Sequence, residues 1–119
     1  MFVNNAAESA FRVGIVSLIL AGRTEDALHS LSAHYRVEEP SLRVGTVKRH
    51  RHVLACYVNK ERRIYISKSE LLTNPFVILH EFYHHLRASQ IRKIGQVEKR
   101  ADWFAFAFIR DFNQNCSMA

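Results

Sequence analysis

Little in this chain of 119 residues would break, staple or anchor a fold. With 4 Gly and 2 Pro it is no collagen-like or low-complexity polymer, and 24% charged against 48% hydrophobic residues argues against a disordered one. Two cysteines, Cys56 and Cys116, are too few for a disulfide scaffold. They point to a reducing compartment, so a cytoplasmic location is expected. The longest apolar run, Val13 to Ala21, falls far short of the roughly 20 residues of a membrane span. It also lacks a cleavage site of small residues, so neither a span nor a leader is expected. Acidic residues are the scarcer sign: 11 Asp+Glu face 17 Lys+Arg, a net charge of +6. That excess suits an anionic partner or serves solubility alone. What remains is one small basic domain covering residues 1–119.

The apolar pattern divides the chain into three parts. A helix is expected from about residue 5 to 21, apolar almost all round, and so buried or paired with a second subunit; a homodimer is compatible with it. Gly22-Arg23 ends it. Thr24 reads as the N-cap of a second helix, with Glu25 and Asp26 in its first turn and Leu28, Leu31 and Tyr35 on one face. From Pro40 the period shortens. Leu42 to Thr46 alternates, Val53 to Val58 reads as a strand buried on both faces, and Arg63 to Ile66 alternates again. Short connections suggest a three-stranded antiparallel meander. Asn74-Pro75 has the form of a helix start, with Asn as cap and Pro in the first turn, and that helix should reach Ala88. A last helix is expected over roughly 95–112, followed by a flexible tail at 113–119. Helices, strands and two further helices make the class α+β.

The helix after Pro75 carries His80-Glu81-Phe82-Tyr83-His84, an H-E-x-x-H pattern. Positions four apart share a face, so both imidazoles can reach one ion about 2 Å away. Glu81 is placed to act as general base on a water at the ion's open position, whose pKa zinc lowers towards 7. The neighbours Val77, Ile78, Leu79, Phe82 and Leu86 are apolar, as a helix buried behind its metal face requires. A zinc site that does chemistry usually takes a third protein ligand and leaves a fourth position open.

Glu98 and Asp102 lie one turn apart on the last helix. In an antiparallel hairpin, His84 with Glu98 and His80 with Asp102 share one midpoint, residue 91. That pivot makes Glu98 the third ligand and Asp102 the acceptor that fixes the tautomer of His80. A pivot near residue 93 would make Asp102 the ligand instead. Trp103, Phe104, Phe106 and Phe108 interleave with Ala101, Ala105 and Ala107, which suggests a heavily buried helix in which an acid wants a partner.

H-E-x-x-H followed by E-x-x-A-D on the next helix resembles the zinc signature of the gluzincin metallopeptidases. The small size and the three strands before the active-site helix look most like the minigluzincins, single-domain soluble peptidases known from archaea. ImmA/IrrE-type peptidases, implicated in cleaving repressor proteins, are the second-nearest likeness. The resemblance spans about Leu42 to Phe112 in architecture and rests on about six matched residues. It implies zinc on His80, His84 and Glu98, Glu81 as general base, Asp102 behind His80, and a peptide or protein substrate. It further implies that the strand Arg62 to Ser67 forms the cleft's rim and pairs with an extended substrate. Such proteins can be latent, blocked by a terminal segment or a dimer partner. Gluzincins commonly supply a Tyr or His downstream to steady the oxyanion. The tail after Phe112 has neither, which leaves Tyr65 on the rim strand or Tyr83 on the active-site helix, of which Tyr83 is expected to pack in the core.

Other features carry less. His50-x-His52 shares a strand face, but Lys48, Arg49 and Arg51 around it repel a cation. Arg36 to Lys68 holds nine Lys/Arg and three Glu, the best case for nucleic-acid binding, without a groove-reading motif or interleaved aromatics. The alternative to a peptidase is therefore a metal-stabilised regulatory or nucleic-acid-binding module. Cys56 is expected in the core. The thiolate of Cys116 could reach the open zinc position if the tail folds back.

Overall fold

The computed structural model describes residues 6–46, 53–89 and 97–117. The elements run α1 (Ala6–Leu20), α2 (Thr24–Tyr35), β1 (Ser41–Val44), β2 (Ala55–Val58), β3 (Arg63–Ile66), a 3-10 turn (Ser69–Thr73), α3 (Pro75–Ala88) and α4 (Val97–Ser117). The α+β class therefore holds.

Local signals explain most boundaries. Gly22, at φ +81, closes α1 in the left-handed conformation that glycine adopts without a Cβ penalty. The Arg23 N–H then reaches the Leu18 carbonyl at 2.8 Å and the Gly22 N–H that of Ile19 at 3.0 Å, a Schellman closure. Asn74 caps α3 by accepting from the Val77 N–H at 3.2 Å, with Pro75 in the first turn. Thr24 is not the cap of α2. Arg23 holds that place without a side-chain capping bond, and the buried Thr24 hydroxyl donates to the Leu72 carbonyl instead, tying α2 to the 3-10 turn.

The sheet is mixed rather than an antiparallel meander, with strand order β1-β3-β2. β1 pairs parallel with β3 (Leu42 opposite Ile64), and β2 pairs antiparallel with β3 (Tyr57 opposite Ile64). The reason lies in the connections. The β2–β3 turn is short, whereas residues 45–54 are enough chain to step across one strand's width of about 4.8 Å and leave β3 a central place. The Gly45 N–H donates to the Ile66 carbonyl and the Ser67 N–H to the Leu54 carbonyl, both at 2.8 Å, so both ends of the connection lie at the C-terminal end of β3, one on either side of it. β3 is therefore no rim. The edge facing α3 is β2, all of it half-buried, including Cys56, which the sequence pattern assigned to the core.

Ile64 and Ile66 point into a core shared with Ile15, Val16, Ile19, Leu28, Leu31, Ile78, Phe82 and Phe108. α1 meets it along Ile15, Val16 and Ile19, packed on α2 and α4. α4 buries only the stripe Ala101, Ala105, Phe108 and Asp111, with Asp111 paired to Arg12 at 3.1 Å. Trp103 and Phe106 are more than half exposed, at 56% and 55%, so this helix is less buried than its aromatics suggest. It also continues to Ser117, where a tail was expected from residue 113. Cys116 thus lies within the helix, 18 residues along from Glu98 and about 27 Å by its rise, rather than in a tail that folds back. His50 and His52 lie outside the described residues. No helix among the described residues is long and apolar enough to cross a membrane.

Candidate metal centre

α3 packs along α4, whose buried stripe includes the small side chains Ala101 and Ala105. His84 faces Glu98, with Nε2 and Oε1 2.7 Å apart. His80 faces Asp102, with Nδ1 and Oδ1 2.9 Å apart. This is the pairing that a pivot at residue 91 requires, although residue 91 itself lies outside the described residues. The second carboxylate oxygen of Glu98 stands 3.2 Å from His80 Nε2, and the two Nε2 atoms are 3.3 Å apart. One atom each from His80, His84 and Glu98 thus falls within 4.8 Å of the others, a group that could hold a metal ion. The Asp102 carboxylate lies instead at Nδ1, on the far side of the His80 ring from the convergence.

These distances fit the donor chemistry. Ligands about 2.05 Å from a tetrahedral zinc sit about 3.3 Å from one another, and the two Nε2 atoms have that spacing. An ionised Asp102 only accepts, so it holds the ring proton of His80 on Nδ1 and leaves the Nε2 lone pair aimed at the shared point. Burial, the largest influence on His84, lowers its pKa and favours the neutral ring a metal needs; the nearby Glu98 opposes this.

Glu81 is buried, at 8% exposure, on the wall beside these groups. Burial pushes its carboxyl up to about 7, His80 pulls it down and Glu98 pushes it up further. A carboxyl poised there exchanges a proton readily near neutrality. Glu81, His84 and Glu98 open onto a cleft of about 560 Å³, whose opposite wall is the edge strand β2 through Ala55, Cys56 and Tyr57. The unpaired edge facing this cleft therefore belongs to β2 rather than to Arg62–Ser67.

The structure does not bring Tyr65 to this group. Its hydroxyl donates to Glu61, and Arg63 donates to it at 3.3 Å. In the strand it alternates with Ile64 and Ile66, so it stands on the sheet face turned away from the core. Tyr57, one residue along from Cys56, was not singled out by the sequence. Its hydroxyl bonds His85 Nδ1 at 2.8 Å, while His85 Nε2 meets the Glu38 carbonyl at 2.5 Å. A carbonyl only accepts, so His85 carries a proton on Nε2, and in the neutral ring that burial favours the Tyr57 hydroxyl donates to Nδ1. Burial lowers the pKa of His85 in keeping with this. Only the alternation that puts Tyr57 opposite Ile64 hints at this link, and it becomes readable once the register is known. No known family model, curated protein or solved structure matches the chain.

Proposed function

We propose that this chain is a zinc-dependent metallopeptidase of gluzincin type, closest in plan to the minigluzincins, hydrolysing peptide bonds in an extended peptide or protein. The observation that carries the reading is the convergence of His80, His84 and Glu98 beside a buried Glu81 on the wall of an open cleft. His80 and His84 would hold the ion through Nε2 and Glu98 through its carboxylate, with Asp102 fixing the ring of His80. Zinc, when bound, supplies a Lewis acid that polarises the scissile carbonyl and acidifies water. Glu81 would take a proton from the attacking water and hand it to the leaving amine. The edge of β2 offers backbone groups to which an extended substrate can pair across the cleft from α3.

The test is hydrolysis of a mixed peptide pool by zinc-loaded protein beside Glu81→Gln, with cleavage read by mass spectrometry. Cleavage that vanishes in Glu81→Gln while zinc content and helicity persist supports the reading. Cleavage that survives the change refutes the role of Glu81. One bound zinc without any cleavage leaves the metal a structural one and favours the regulatory module.

A further inference from the structure

One segment holds the whole of the chain's net charge of +6. Residues 36–68 carry nine Lys/Arg and three Glu, whereas the rest of the chain carries eight basic and eight acidic residues and so balances. All three strands fall within that segment, which centres the positive charge on the sheet and its connections. The peptidase reading uses the edge of β2 and gives this charge no task.

The register of the sheet sets the charge beside an aromatic ring. Ile64 and Ile66 are fully buried and Leu42 packs on the same core, so Arg63, Tyr65 and Arg43 stand on the opposite face, away from α3. Parallel pairing of β1 with β3 puts Arg43 directly across from Tyr65. Arg63, two positions before Tyr65, holds its guanidinium 5.8 Å from the centre of that ring. Tyr65 is thus flanked by an arginine from each of two strands. Glu61 partly offsets Arg63, 3.4 Å away, whereas Arg43 is exposed and has no acidic partner among the described residues. Read along the chain, the basic segment lacks interleaved aromatics; the interleaving arises across the strands.

We infer that this outer face of the sheet binds single-stranded nucleic acid, with Tyr65 as the platform for one base and Arg43 and Arg63 as contacts to the neighbouring phosphates. A base of any identity can stack on the ring, and the guanidinium of Arg63 against it steadies its orientation. A duplex keeps its bases stacked inside and offers no free face to a side chain, so the surface selects single strands. The inference does not depend on the peptidase reading and gives the chain a second partner.

The experiment is a fluorescence-anisotropy titration of the full chain into a labelled oligothymidylate of about 16 nucleotides, beside a duplex of the same length. Salt is varied between about 50 and 200 mM, and log K should fall against log salt by about 0.7 for each phosphate contacted. Arg43→Glu should weaken binding at least about tenfold and make that slope shallower. Arg100→Glu makes the same charge change at an exposed position of α4 and should weaken binding by less than about threefold. Tyr65→Leu fills the same place without an aromatic face and should cost about tenfold, whereas Tyr65→Phe keeps the ring and should stay within about twofold of wild type. Arg43 is exposed, so its variant reads the surface even if Tyr65→Leu fails to fold. No binding at the lowest salt, or equal losses in Arg43→Glu and Arg100→Glu, overturns the inference. A duplex bound as tightly as the single strand, or a folded Tyr65→Leu that binds like wild type, also overturns it and leaves only a general attraction for polyanions.

Discussion

His84 and His85 are neighbours on one helix and meet opposite surroundings. Burial lowers the pKa of both, so both favour the neutral ring. His85, 1% exposed, has each ring nitrogen matched by a protein partner, Tyr57 on one side and the Glu38 carbonyl on the other. His84 turns to the other face of α3, where its Nε2 meets a carboxylate and the Nε2 of a second imidazole. The core face closes its polar groups among themselves. The cleft face gathers lone pairs at one point and leaves them open towards solvent, with Glu98 77% exposed. What separates a structural histidine from a candidate ligand here is whether its acceptor nitrogen is already used.

The contrast can be broken from either face. The largest effect is expected from Glu81→Gln, which should cut kcat by about 10² to 10⁴ while zinc stays bound, measured on whichever peptide the pool assay selects. Next comes Asp102→Ala. Without its acceptor, His80 loses its preferred tautomer, and zinc affinity should weaken about 10- to 100-fold in a competition titration with a chelating dye.

A third effect appears only in the metal-free protein. The Glu81 carboxyl rises from 4.5 to about 7 on folding, so the unfolded chain releases that proton at lower pH than the folded one. Stability is therefore lost as pH rises from the lower value to the higher, and the cost then stays constant. Metal-free Glu81→Gln should be more stable than wild type at pH 8 by about 1–3 kcal/mol, and equal to it near pH 4, by urea denaturation. On the core face, Tyr57→Phe should cost about 1 kcal/mol in the same assay and leave zinc affinity unchanged, because the hydroxyl it removes bonds His85 and not the metal-facing groups. A loss of zinc in that variant would show that the two faces are not independent.

How far the sequence carried this picture depended on the range of the interactions involved. The start of α3 was legible because Asn74 and Pro75 act within one turn. The pairing of His80 with Asp102 and of His84 with Glu98 was legible because two helices joined by a short segment leave few registers. Strand order was not: nothing in residues 45–54 states that the chain steps over β3, and on that step depends whether β2 or β3 is the cleft's rim. The placing of Tyr65 failed with it, since a central strand shows its alternate residues to the face away from α3. Trp103 and Phe106 misled because composition does not say which stripe of a helix meets its partner; the alanines at 101 and 105 took that stripe.

The most direct test of the central claim, that His80, His84 and Glu98 make one metal site, is zinc per chain by elemental mass spectrometry. It is done on untagged protein after loading and removal of excess metal, for wild type beside Glu98→Ala. About one zinc is expected in wild type, largely lost in Glu98→Ala. No retained zinc in wild type, or an unchanged zinc content without Glu98, would contradict it.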